Sequence, residues 1–377
     1  MARFPSTAPA RVDVRAIERE VQRLWREVSE RPEAVLGEGV AAPVTRICTL
    51  TLLAVASTER TALRMTDVIG HLVAQHPCRS ILLRLRDAAE DRLEASIALH
   101  CGRGAPGRAP VCCEQITVEA AGRALARVPG LIFPLLVPDL PVYVWWPEEV
   151  PSGGGPSGDV LRRLIEVADA LVVDSGTLAE PVEALAGLAA LARPLPRGLR
   201  DLTWGRLTPW RDLLAQTFDP EPMAAALDRV DQVHIVSSGP AGTQPVGGLL
   251  LLGWLGSRLG WEPEGPAVRT GDQVEGRCRR SGGGVHVRVA GGSGPVTSVE
   301  LAAGGQDRLV VRLSRSSDEG PSARVEVRTG RGRPRVHTTG FVSFDEVGLL
   351  AREIDLAAPD LAFVDSLQWA CRLALGN

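Results

Sequence analysis

Two tryptophan-rich strings, PLLVPDLPVYVWWP at 134–147 and DLTWGRLTPWRDLLAQTFDP at 201–220, concentrate indole rings, and the second sets them beside the guanidinium groups of Arg206 and Arg211. The chemistry such a mixture supports is recognition of another protein rather than bond making. Aromatic and arginine side chains dominate interface energetics, and truncating one at a hot spot costs ~2 kcal/mol or more. The candidate partner-binding residues are therefore Trp145, Trp146, Trp204, Arg206, Trp210 and Arg211. The competing reading of each ring is packing in its own core, or an intramolecular cation–π contact. Adjacent Trp145 and Trp146 cannot share a strand face, so one can pack inward while the other reaches outward.

A second constellation has the form of an anion pocket. The strand expected at 231–237 runs into Ser-Ser-Gly-Pro-Ala-Gly and then Gly247-Gly248 before an apolar helix, a layout able to offer backbone amides to a phosphate. Pro240 and Pro245 interrupt it, so neither G-x-G-x-x-G nor a P-loop is matched, and a structural turn is the plainer reading. Asp174-Ser175-Gly176-Thr177 ends another strand, where Asp174 could act as acid or base, or could simply form a turn and cap. In an open α/β sheet, ligands gather beyond the carboxyl ends of the strands, which groups Asp174, Ser175 and Gly239, with Trp145 nearby.

Groups for covalent or metal chemistry are not spaced to act. No G-x-S-x-G elbow occurs, and His71, His76, His100, His234, His286 and His337 suggest no triad and no H-E-x-x-H. Neither catalytic residue, metal nor cofactor is expected. The seven cysteines include no C-x-x-C, and Cys48 and Cys101 lie in strand-like runs as small apolar residues. Cys112 and Cys113 point to opposite strand faces, which argues against a bond between them. An odd count, with no apolar signal core in the first ten residues, predicts a reducing, cytoplasmic setting.

The elements that must position these residues alternate. An amphipathic helix over 13–29 carries Val14, Ile17, Val21, Leu24, Trp25 and Val28 on one face. Strands are expected near 44–56, 80–86, 93–101, 111–119, 142–146, 170–174 and 231–237. Helices are expected near 60–75, 120–128, 159–169, 180–192, 208–218, 221–229 and 246–259. In the Trp helix, Thr208 reads as N-cap and Pro209 as the first helical residue. Apolar strands alternating with helices imply a mostly parallel sheet covered by helices on both faces. The five prolines between 129 and 147 exclude a membrane span there, and the Gly-rich 151–158 stretch reads as a loop.

After Trp261 the texture changes. Short alternating runs at 285–289, 308–313 and 324–328, separated by glycine-rich turns and followed by helices near 344–353 and 360–374, predict a small α+β domain with an antiparallel sheet. The expected domains are 1–262 and 263–377. Every basic residue is arginine, and residues 266–340 carry 13 of them against 7 acids, although the whole chain has a net charge of −3. That local excess suits docking on an acidic surface or, more plainly, a solvated sheet face. No aromatic residue lies between Trp261 and Phe341, which denies a nucleic acid its stacking partners.

The chain resembles the OpcA family of glucose-6-phosphate dehydrogenase assembly proteins. The resemblance rests on His76-Pro77-Cys78-Arg79, Leu135–Pro141 with the Trp145-Trp146 pair, Val173-Asp174-Ser175, the 201–220 string, and Leu252-Gly253-Trp254-Leu255 followed by Arg258-Leu259-Gly260-Trp261. It implies a non-catalytic accessory protein whose partner is glucose-6-phosphate dehydrogenase, acting as an allosteric activator in the oxidative pentose phosphate pathway. The alternative from the residues themselves is an enzyme or sensor that binds a sugar phosphate at the strand-end pocket.

Overall fold

The computed structural model describes residues 10–11, 13–30, 44–102, 111–149, 155–191, 193–221, 223–240, 242–304, 308–316 and 321–376. Contacts divide the chain into two compact units that interleave in sequence: Met1–Val173, Ala192–Arg200 and Glu346–Pro359 in one, Asp174–Leu191, Asp201–Asp345 and Asp360–Asn377 in the other.

The first unit is built on a sheet of β1 (Ala10–Arg11), β2 (Thr45–Arg46), β3 (Leu50–Ala56), β4 (Cys78–Arg86), β5 (Arg92–Gly102), β6 (Val111–Ala121), β7 (Val142–Trp146), β8 (Ala170–Val173) and β9 (Gly198–Asp201). Its strand order is β1-β5-β6-β4-β3-β7-β8-β9, with β2 on β6. Strands β6, β4, β3, β7 and β8 pair in parallel, while β5 pairs antiparallel to both β6 and β1. Every residue of β3 and β7 is buried, as continuous apolar runs with both faces covered require. The helix Glu59–Leu72 is started by Thr58, whose hydroxyl accepts from Thr61 N, and buries Met65, Val68, Ile69 and Leu72.

The second unit carries β10 (Val230–Ser237), β11 (Glu262–Pro263), β12 (Val268–Thr270), β13 (Gln273–Arg280), β14 (Gly283–Ala290), β15 (Val296–Ala303), β16 (Leu309–Ser316), β17 (Ser322–Thr329) and β18 (Arg335–Gly340), in the order β11-β13-β14-β10-β15-β16-β17-β18 with β12 on β13. Among the described residues of this sheet, only β10 and β14 pair in parallel. Strict alternation buries Val233, Ile235, Val287, Val289, Leu301, Val311 and Val325 on one face. The helices Val246–Arg258 and Leu361–Leu375 lie against that face, close enough that a Cβ on Gly248 would meet Val289 at 2.4 Å and one on Gly276 would meet Leu373 at 2.8 Å. The two helices meet through glycine as well, since a Cβ on Gly256 would stand 2.1 Å from the Trp369 ring.

The fold class follows the sequence reading, with a mostly parallel sheet and then a mostly antiparallel one. The domain boundary does not. Strand β10, expected in the first domain, sits in the middle of the second sheet, and both its partners, β14 and β15, lie beyond residue 263. Strand–helix alternation is a property of the chain and does not say which sheet a strand joins. Seven strands were not anticipated: β1, β9, β11 and β12 are only two to four residues long, and in β13, β15 and β18 Arg, Gly and small residues dilute the apolar alternation. Of the expected 151–158 loop, residues 151–154 lie outside the described residues, and 156–158 already belong to the helix Pro156–Ile165.

Candidate functional site

The order β6-β4-β3-β7-β8-β9 makes β3 the first strand of a doubly wound sheet and places the topological switch point between β3 and β7. In this topology the helix after the first strand offers its N-terminus to the phosphates of a dinucleotide. Here that turn reads Ala56-Ser57-Thr58-Glu59-Arg60-Thr61, with no glycine at all. Glu148, two residues past β7, fills the helix N-terminus from within. Its carboxylate accepts hydrogen bonds from Ser57 N, from Ser57 Oγ at 2.7 Å and from Thr58 Oγ1 at 3.3 Å. Burial pushes its pKa up, but the hydroxyls of Thr61, Ser57 and Thr58 and the Ser57 amide outweigh that and hold it below the ordinary value. The position that would receive a phosphate already holds a carboxylate, and Glu59 adds a second in the first turn.

A second polar cluster is built within the second unit at Asp174. Its Oδ1 accepts from Thr203 Oγ1 at 2.9 Å and from Arg206 Nη1 at 2.7 Å, and its Oδ2 accepts from Arg206 Nη2 at 2.7 Å. Behind it, buried Asp201 accepts from Ser175 N at 2.9 Å, Ser175 Oγ at 2.6 Å and Thr203 N at 3.1 Å. Burial, then the Asp174 charge, pushes the Asp201 pKa up to about 6 against the opposing pull of those hydrogen bonds. The cluster forms one wall of a cavity of about 430 Å³ whose lining includes Trp210, Ser293, Arg315 and Phe341. Arg315 stacks 5.6 Å from the Phe341 centroid. No histidine or cysteine lines it among the described residues, and it presents a bidentate ion pair and a second guanidinium to its interior.

The sequence-predicted residues fall out as follows. Trp145, Trp146, Trp204 and Trp210 are buried and are not available as partner-binding surface. Trp145 and Trp146 belong to the wholly buried β7. Trp204 donates from Nε1 to Asp360 at 2.7 Å, and Trp210 packs edge-on to Phe341 at 5.0 Å. Apolar area dictates this outcome: each ring gains more from enclosure than an exposed face could return. Arg206 is committed to Asp174, while half-buried Arg211 stacks 3.5 Å over Trp204 and donates to Trp204 O and Thr208 Oγ1. Of the three anion-pocket residues, Asp174 lines the cavity. Ser175 is buried behind it, and Gly239, at φ +114°, packs against Ser293 and Gly294 without lining it.

Three features were not read from the sequence. Glu114 is the hub of a buried network in the first unit, accepting from Trp25 Nε1 at 3.0 Å, Arg46 at 2.7 Å and Arg79 at 3.0 Å, and Arg79 also donates to Glu18 and to Leu135 O. Glu148 is the second, and strand order was the signal needed to find it. The third corrects an expectation: Cys101 and Cys112 face each other on β5 and β6 and are disulfide-bonded, whereas Cys101 reads as a free apolar residue from sequence. The pairing is cross-strand, so linear spacing conceals it. Burial pushes the free thiols of Cys113 and Cys278 up to about 12, which keeps those two protonated near neutral pH.

Two family profiles match in succession, the glucose-6-phosphate dehydrogenase subunit N-terminal domain over residues 70–190 and its C-terminal domain over 197–367. Proteins named OpcA and assigned to the OxPP cycle are similar in sequence. One from Synechocystis sp. is 33% identical over 52% of this chain and 40% of its own length, and one from Nostoc punctiforme is 32% identical over 54% and 43%. The matched stretch thus spans less than half of those relatives. In fold, the chain is similar to glucose-6-phosphate 1-dehydrogenase from Mycobacterium avium, at a TM-score of 0.52 and 13% identity over 88% of this chain and 92% of that one. With both profiles matched in order across most of its length, the chain belongs to the OpcA family.

Proposed function

We propose that this protein is a non-catalytic accessory protein that binds glucose-6-phosphate dehydrogenase and favours its assembled, active form, serving the oxidative pentose phosphate pathway in the cytoplasm. Family membership supports the partner and the pathway. The observation that carries the non-catalytic half is Glu148: the helix N-terminus at the switch point of a dinucleotide-type sheet is occupied by the chain's own carboxylate, in a turn without glycine. A bound phosphate would face that charge at close range. An activator of this kind acts by binding the active assembly more tightly than the inactive one, and about 1.4 kcal/mol of difference shifts the equilibrium tenfold.

The test is direct. The purified chain alone is expected to show no steady-state oxidation of glucose 6-phosphate and no saturable binding of NADP. Turnover that survives repurification and is abolished by Asp174→Ala would overturn the proposal.

One observation favours a second reading. The cavity beside Asp174 presents Arg206 and Arg315 to a small ligand, as a sugar-phosphate sensor would. Calorimetric titration of the chain with sugar phosphates separates the two readings, because the accessory role requires no such binding.

A further inference from the structure

The second sheet buries one face under helices, and among the described residues nothing covers the other. Residues opposite one another across its strands form rows on that open face. One row reads Glu275 on β13, Arg288 on β14, His234 on β10, Glu300 on β15, Arg312 on β16 and Glu326 on β17. The row alternates in sign around a central histidine. Within the chain, Arg288 contacts Glu275 at 2.9 Å and Arg312 bonds Glu300 at 2.7 Å, and the side chains of Arg288 and Glu275 are each 41% exposed. The flanking rows near the centre are small or neutral: Ala290, Val236 and Ser298 on one side, His286, Gln232 and Ala302 on the other.

We infer that this face binds a second copy of the same chain, sheet on sheet, about a two-fold axis running along β10. The charge order selects that axis. Rotation about β10 sets Arg288 over Glu300 of the second copy and Glu275 over its Arg312, while His234 meets its own counterpart. A two-fold running across the strands would instead set Arg288 on Arg288 and Glu300 on Glu300, and like charges so placed cost heavily. An isologous interface must be self-complementary in this sense. Aligned sheets keep their strand directions within about 30° of each other, which preserves the pairing over the central five strands. Seven strands at ~4.8 Å spacing and ~20 Å of length give on the order of 600 Å² per copy before side-chain relief, near the ~800 Å² of a standard interface.

The experiment is a mixing test with two charge reversals, Arg288→Glu and Glu300→Arg, read by sedimentation equilibrium, with circular dichroism melts to confirm folding. The wild-type chain is expected to be dimeric at micromolar concentration. Each variant alone places two like-charge contacts in its homodimer and should dissociate at least tenfold more readily. An equimolar mixture restores both opposite-charge contacts and should recover the dimer. Ser298→Arg, beside only Val236 and Ser314, should also weaken the dimer and serves if Glu300→Arg fails to fold beside Arg312. A monomeric wild type, variants that keep wild-type affinity, or a mixture that stays monomeric would each overturn the inference.

Discussion

Asp201 is the residue whose protonation the fold alters most legibly. Its pKa moves from an ordinary 3.8 to about 6, so the folded chain holds the proton more tightly than the unfolded one. The resulting stability is present in full below about pH 4 and is lost as pH rises through about 6, a change on the order of 2–3 kcal/mol. Asp201→Asn should abolish that slope in melts taken between pH 4 and 7. The amide can keep Oδ1 as acceptor for Ser175 N and Thr203 N while its nitrogen donates to Ser175 Oγ. A variant whose melting temperature still falls across pH 4 to 6 as the wild type's does would reject this account. Arg206 and Arg211 lead to different expectations. Arg206→Ala leaves the buried Asp174 carboxylate without its bidentate partner and should cost ~2 kcal/mol, so weaker activation of a dehydrogenase by that variant would not locate a docking surface. Arg211→Ala removes a stack and two hydrogen bonds from a half-buried position and should leave the melt within ~1 kcal/mol. It is the cleaner probe of the 208–218 helix, read as the concentration giving half-maximal activation.

At the scale of elements, the strings that carry the family resemblance are mostly anchors of packing. Arg79 of His76-Pro77-Cys78-Arg79 ties β4 to Glu114, Glu18 and Leu135 O. Gly253 and Gly256 bring the helix Val246–Arg258 onto Ser366 and Trp369, whose Nε1 donates to Trp261 O at 2.7 Å. Most helices and the apolar strands were legible because period and turn chemistry are local. Sheet membership, the cross-strand disulfide and the Glu148 plug were not, since each depends on which distant strands become neighbours. The same point makes a truncation predictable. Residues 1–263 retain β10 but lose β14 and β15 on both its sides, together with Glu346–Pro359 of the first unit. Amide exchange in such a fragment should show residues 230–237 unprotected, whereas the full chain protects them. Protection of β10 in the fragment would contradict the assignment of that strand to the second sheet.

For the whole molecule, the central claim is that a chain with a dehydrogenase-like fold and an internally occupied phosphate position works on another protein. No helix among the described residues is long and apolar enough to cross a membrane. The most direct measurement mixes the purified full chain with the glucose-6-phosphate dehydrogenase of the same organism and records complex mass by light scattering alongside the rate of NADP reduction. The account predicts a defined heteromeric mass and a saturable rise in dehydrogenase rate with added chain, with no rate from the chain by itself. Two unchanged masses and an unaltered dehydrogenase rate at micromolar concentrations of both proteins would contradict it.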